Sequence, residues 1–410
     1  MLVKRLLARW VVAVLVLAIG FVCVDLFLRK RPELLPLWYR ESFPFHAVEL
    51  FEPGILERTP IEGVPVPIPI GAHTGTPPAD LVEEGLAPDA LEDRQRFPDL
   101  FLPADADGFP NPERLERADV LLVGDSFGVS AGVERPLGLR RRLAEATGRS
   151  VYNLSVAAIG PIHEEWLLRE IGLAKEPDVV IWLFYAGNDV TYSAEPAYYR
   201  HLGHTTYAEA YAERRVPRWI FFDVVRKMLA RDGEPKGDPL PGFAFPRHDG
   251  SVAPIWFHPD NLNQLGYSRE IWQTSIGWKT AADALAAAAD ACAERGVRFL
   301  LVYLPSKAEV YLPHVDADAE LLRRTVARST DPELSAEELL EHLLANRGTL
   351  EEVVQAFCDE RGIAYLSAVP FLEAQAGEGR LGYLASDTHW QPDGQAVLVE
   401  PLAAFVDGEE

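Results

Sequence analysis

From Ala118 onward the chain alternates short apolar runs with amphipathic stretches. ADVLLVGDS (118–126) is a continuous apolar run that stops at Gly-Asp-Ser, the pattern of a strand buried on both faces and ended by a turn. Residues 136–147 then read as a helix, SVYNLSV (150–156) as a second strand, 162–175 as a second helix and DVVIWLFYAGND (178–189) as a third strand. After an interruption the alternation resumes: an Ala-rich helix over 270–295, a strand in VRFLLVYLP (297–305), a helix over 350–361, a strand in IAYLSAVP (363–370) and a closing helix over 392–406. Strand and helix alternating at βαβ spacing predict the α/β class, with a doubly wound parallel sheet of about five strands covered on both faces.

Three stretches depart from that rhythm. Residues 10–28, WVVAVLVLAIGFVCVDLFL, form an apolar run flanked by Lys4, Arg5 and Arg9 before it and Arg29, Lys30 and Arg31 after it. As a helix the run is roughly 28 Å long, close to a bilayer core. It is long for the core of a cleaved signal and no A-x-A site follows, so the expectation is an uncleaved signal anchor. The remainder would then stand outside the cytoplasm, on the periplasmic side of an inner membrane. Residues 31–117 are Pro-rich and lack helical periodicity, and VPVPIPI (64–70) has the look of an edge strand. They read as a spacer packing on the domain at 118–407. Two insertions fall inside that domain. The first, 191–269, is irregular and aromatic (Tyr192, Tyr198, Tyr199, Tyr207, Tyr211, Trp219, Phe243, Phe245, Trp256, Phe257), and two readings are open: a sugar-binding platform, or a small core of its own. The second, 316–349, is helical and charged, the pattern of a solvated cap.

Composition narrows the partners. The 410 residues carry a formal net charge of -23, which argues against nucleic acid, since phosphates call for clustered Lys and Arg. Three cysteines make no disulfide framework. Cys292 and Cys358 sit in the parallel phrases CAERGVRFLLVYLP and CDERGIAYLSAVP, each reading as helix, Gly stop, strand, with the thiol as packing.

In an open α/β sheet, ligands bind beyond the carboxyl ends of the strands. Four polar signals fall there. Ser126 follows the first strand, Gly160 lies just past the second, Asn188 follows the third in AGND, and Asp387 and His389 follow the last in SDTHW. A serine hydroxyl needs a base to take its proton, and an imidazole titrating near neutrality suits that task. Asp387, two residues before His389, is placed to hold the ring in one tautomer. The backbone N–H groups of Ser126 and Gly160 and the Asn188 amide make a candidate oxyanion hole. Rival signals are weaker. GVSAG (128–132) matches G-x-S-x-G, but Ser130 lies several residues past the strand. His163 reads as the start of a helix, Lys307 and Tyr311 as strand-end groups within reach of a substrate or solvated, Asp125 as a supporting partner and Asp189 as a turn cap. No further His or Cys stands at metal-ligand spacing beside Asp387 and His389, and no phosphate-cradling loop is visible.

GDSF, the glycine in NLSVAAIG, GND and a carboxy-terminal Asp-x-His together resemble the four blocks of the SGNH (GDSL-type) hydrolase superfamily over roughly residues 105–405, the two insertions excepted. The resemblance implies a flavodoxin-like α/β fold and an acyl-serine mechanism without a cofactor. It assigns Ser126 as nucleophile, Gly160 and Asn188 as oxyanion donors and His389 as base. The family's usual Asp-x-x-His spacing would put Ser386 in the acid's place; here the acid would be Asp387. That shorter spacing followed by Trp390, and PSKAEVYLP (305–313), are similar to SGNH-like polysaccharide O-acetyltransferases, in which the Asp-His element precedes the serine rather than following it as here. The resemblance thus implies an esterase, with an O-acetyltransferase as the alternative, and the expected envelope location makes an acylated glycan or lipid the natural substrate. An inactive SGNH fold that binds glycan or serves as a scaffold is the third reading.

Overall fold

A computed structural model describes residues 20–28, 105, 107, 109–130, 138–156, 159–194, 240–330, 332–385 and 387–408. Residues 20–28 are helical and belong to a unit made of 1–58 and 202–236; the other described residues belong to a second unit, 59–201 with 237–410. Among the described residues no helix is long and apolar enough to cross a membrane. The first half of the expected span (10–19), most of the spacer including VPVPIPI, and Tyr198, Tyr199, Tyr207, Tyr211 and Trp219 lie outside the described residues.

The second unit is built on a parallel sheet of five strands in the order β2-β1-β3-β6-β7. These are β1 (Val120–Gly124), β2 (Val151–Asn153), β3 (Val179–Tyr185), β6 (Arg298–Leu304) and β7 (Ala364–Ser367). Counting only the strands of this sheet, the order is 2-1-3-4-5, the doubly wound arrangement whose switch point lies between β1 and β3. Every residue of β1 and β3 is buried, because helices cover both faces. Leu139–Thr147 and Val399–Asp407 pack together on one flank, and Pro161–Leu167 packs against Ile276–Ala293. Both cysteine phrases end their helices in one way. Gly296 and Gly362 take left-handed φ of 70° and 67°, and the next N–H bonds back to the Cys292 or Cys358 carbonyl at 2.9 Å. Both thiols are buried and free.

Several boundaries differ from the sequence expectation. The helix expected over 270–295 is two helices, Arg269–Thr274 and Ile276–Ala293. Ser275 leaves helical geometry between them, and its Oγ accepts the Trp278 N–H to cap the second. The helix expected over 162–175 holds α-helical geometry only over Pro161–Leu167, then loosens into a π turn at Leu168–Gly172. The closing helix is likewise split, into Pro392–Ala396 and Val399–Asp407. Within 191–269, Phe243–Pro246 (β4) and Val252–Ile255 (β5) pair as a small antiparallel hairpin. Phe243, Phe245, Trp256 and Phe257 are buried in the main core, so these aromatics pack rather than present a platform. The charged helices Ala319–Val326 and Ala336–Asn346 are more than a solvated cap: Leu322, Val326, Leu339 and Leu343 join the same core, as an amphipathic helix requires. Of the spacer, Phe109 is buried edge-on to Tyr152, and Asn111 exchanges hydrogen bonds with the Asn153 backbone at 2.8 and 3.0 Å.

Candidate active site

β1 ends at Gly124, whose missing Cβ leaves room for Leu183 of β3. The chain turns at Asp125 into the one-turn helix Ser126–Val129. Asp125 caps that turn, its Oδ1 accepting the Phe127 N–H at 2.8 Å. Ser126 is therefore the first helical residue, and its N–H is one of those a helix leaves without an internal partner. Gly128 faces Ser155 so closely that a Cβ would lie 2.0 Å from Ser155 Oγ. Ser130 closes the turn at a left-handed φ of 63°, its Oγ buried without a hydrogen-bond partner.

His389, the expected base, arrives from the far end of the domain. Leu384 N–H donates to the His389 carbonyl at 2.8 Å, closing a tight loop, and Tyr383 bridges Trp390 beside it. His389 Nε2 lies 2.8 Å from Ser126 Oγ, and Nδ1 lies 2.6 Å from Asp387 Oδ1. An ionised carboxylate only accepts, so Nδ1 carries the proton and Nε2 is left to accept from the serine hydroxyl. The same Asp387 Oδ1 also accepts the His389 backbone N–H at 2.8 Å. Ser126, Asp387 and His389 are 8%, 7% and 5% exposed, so little water screens the chain of bonds. Phe127 stacks on Tyr185 with ring centroids 3.8 Å apart and lies 5.2 Å from the His389 ring, giving the imidazole an aromatic floor.

The oxyanion candidates are placed less uniformly. Asn188, just past β3, donates from Nδ2 to Asp125 Oδ2 at 2.9 Å, which leaves the second N–H of that amide. Gly160 precedes the helix Pro161–Leu167, and its N–H is directed at His163 Nδ1, 3.5 Å away. Burial pushes His163 down to about 4, against the opposing Gly160 N–H, so the ring is neutral and accepts. The expected place of Gly160 among the donors thus rests on a group already turned toward a helix cap. A Cβ there would lie 2.9 Å from Tyr192 Cβ, which is reason enough for the glycine.

Sequence reasoning singled out Asp125 and Asp189 but missed Glu164 and the burial of all three carboxyl groups. Asp125, Glu164 and Asp189 are all fully buried. Burial, opposed by Phe127 N–H and the Asn188 amide, raises the Asp125 carboxyl above its usual range. Burial and then the neighbouring Asp189 and Asp125 charges raise Glu164 well above it. Asp189 is raised by burial and by Asp125, although its Oδ2 accepts the Tyr185 N–H at 2.8 Å. Asp189 therefore caps the turn that leaves β3, as expected, and does so from a fully buried position. Lys307 and Tyr311, expected at the strand end, are buried at 2% and 0%. Ser386 lies outside the described residues.

No protein-family model matches the chain, and no curated protein matches it. Similar solved structures include a candidate acylhydrolase from Bacteroides fragilis, at 9% identity and a TM-score of 0.33, covering 72% of this chain and 87% of that one. A candidate SGNH hydrolase from Slackia heliotrinireducens matches at 11% identity and 0.31, covering 71% and 98%. An acetyl xylan esterase from the rumen bacterium Butyrivibrio proteoclasticus matches at 10% and 0.29, covering 73% and 65%.

Proposed function

We propose that this protein is a serine hydrolase of the SGNH type, an esterase that removes acyl groups from a cell-envelope glycan or lipid through an acyl-Ser126 intermediate. The observation that carries the reading is the unbroken run of short hydrogen bonds from Ser126 Oγ through His389 to Asp387. Its parts come from opposite ends of the domain and meet beyond the carboxyl ends of the strands, at the β1/β3 switch point.

In the proposed reaction His389 Nε2 takes the hydroxyl proton as Ser126 Oγ attacks the ester carbonyl. Charge develops on the carbonyl oxygen, beside the Ser126 N–H and the Asn188 amide. As the tetrahedral species collapses, the imidazolium returns its proton to the leaving alkoxide, and the acyl group stays on Ser126. Water then attacks under the same base and releases the acid. The length and apolarity of the run 10–28 support a membrane anchor, while its basic flanks are balanced and set no orientation; an uncleaved signal anchor would place the domain outside the cytoplasm, where acylated envelope components are the natural substrate. Labelling with a fluorophosphonate probe tests the nucleophile, and product analysis on acetylated glycan tests the substrate class. Absence of labelling in the folded wild-type protein would remove the serine hydrolase reading.

A further inference from the structure

The loop that carries the base is closed over a buried ammonium group. Lys307 opens the short helix Lys307–Tyr311 directly after β6 and is 2% exposed. Its Nζ donates to the carbonyls of Leu384, Ala385 and Asp387 at 3.1, 3.1 and 2.7 Å. These acceptors sit within one six-residue loop, the one closed by the Leu384 N–H to His389 carbonyl bond. Backbone carbonyls converging on one buried point need donors, and an ammonium offers three with no acceptor of its own. No neutral side chain of similar length can do this. Burying a charge is costly unless hydrogen bonds compensate it, so a lysine here needs the loop as much as the loop needs the lysine.

We propose that Lys307 is a positioning residue for the catalytic base: its ammonium fixes the 384–389 loop so that Asp387 and His389 stand in line with Ser126. This rests on the serine-hydrolase reading above. The bond to the Asp387 carbonyl is the shortest of the three and locks the peptide on which the acid's side chain depends. Neighbouring bonds anchor the same segment further back. Tyr383 Oη donates to the Pro305 carbonyl, and Gly382 N–H donates to Tyr311 Oη. Those bonds attach the loop to the sheet. Within the loop the Trp256 N–H also donates to the Ala385 carbonyl at 2.9 Å, and Lys307 is the side chain that joins the Leu384, Ala385 and Asp387 carbonyls to one another.

The test begins with the wild-type protein, in which probe labelling confined to Ser126 establishes the reading beneath; if labelling is absent, that reading fails, not this one. Lys307→Met, of similar length but without donors, should then lower kcat on p-nitrophenyl acetate by about 10²-fold, the scale of a misplacement near 1 Å, with KM within about twofold of wild type. Lys307→Gln, a neutral donor, should fall between the two. In Lys307→Ala, added propylammonium should restore kcat about tenfold, while propan-1-ol at the same concentration should not; a merely space-filling role would respond to both alike. Folding is checked by circular dichroism and melting temperature. A folded Lys307→Met enzyme with wild-type kcat overturns the proposal. So does rescue by the alcohol, or failure of all three variants to fold with propylammonium present, which would make Lys307 a folding residue alone.

Discussion

Replacing Asp387 with Asn isolates the charge in the Ser126–His389–Asp387 chain. The change keeps the side chain's shape and one acceptor oxygen. It removes the carboxylate that faces the imidazolium formed when Ser126 attacks. Asp387 and His389 are both nearly out of water, with Oδ1 2.6 Å from Nδ1. For charge centres about 4 Å apart at an effective dielectric of about 20, the attraction is about 4 kcal/mol. At about 1.4 kcal/mol per decade, its loss from the transition state corresponds to about 10³ in kcat. A second effect adds to this where the amide turns its NH₂ toward Nδ1, because the ring then keeps its proton on Nε2 and cannot accept from serine. The assay is turnover of p-nitrophenyl acetate by Asp387→Asn and His389→Ala, with folding checked by melting temperature. His389→Ala should cost at least as much as Asp387→Asn. A folded Asp387→Asn enzyme within about threefold of wild type would refute the charge argument and leave a Ser-His dyad, with Asp387 only shaping the loop.

Ser126→Ala should abolish fluorophosphonate labelling while Ser130→Ala leaves it, since His389 reaches Ser126 and Ser130 Oγ is buried without a partner; labelling that survives in Ser126→Ala would reassign the nucleophile. Gly128→Ala would place a Cβ 2.0 Å from Ser155 Oγ and 2.7 Å from its Cβ, so it should cost about 1–3 kcal/mol in denaturant unfolding, largely recovered by adding Ser155→Gly; an unchanged midpoint in the single variant would mean the backbone yields there. Burial raises Glu309 from an ordinary 4.5 to about 8, so the folded state holds this proton more tightly than the unfolded state and its favourable effect is lost as pH rises through about 5–8. Glu309→Gln should therefore gain stability on wild type by about 3–5 kcal/mol between pH 5 and pH 9, and parallel stability profiles for the two proteins would contradict the buried acid. The full chain should stay in the membrane fraction through carbonate extraction, with its domain open to protease added to spheroplasts; release by carbonate would remove the anchor at 10–28.

Much of the fold was legible because buried parallel strands write themselves as unbroken apolar runs. VLLVG and VVIWLFY need no periodicity to be recognised, and the glycines after Cys292 and Cys358 mark helix ends by their left-handed φ. The break at Ser275 was hidden because serine favours a helix start but also occurs inside helices, so its presence alone marks no boundary. What the second helix packs on lies elsewhere in the chain: a Cβ at Gly277 would meet the Val190 carbonyl at 2.2 Å, so the start of that helix sits hard against the helical turn that follows β3. Lys307 read as a solvated strand-end lysine because the carbonyls that bury it lie about 80 positions downstream, and no local pattern announces a carbonyl cluster. Gly160 shows the limit from the other side. Its position past β2 was readable, but the direction of its N–H is set by His163, three residues on.

The spacing of acid and base has a local physical logic. With Asp two residues before His, the carboxylate oxygen reaches the backbone N–H two positions ahead, as in an Asx turn. In this loop that N–H belongs to His389 itself, so Asp387 Oδ1 holds both the His389 backbone and its ring nitrogen. The turn that aims the imidazole and the charge that stabilises it are one oxygen atom. With one more residue between them, the i+2 N–H would belong to the intervening residue, and the turn and ring contacts would fall to different residues. A loop tied this tightly also has few ways to relax. Its remaining inward carbonyls must find donors close at hand, and in this chain Lys307 supplies them from the next strand end.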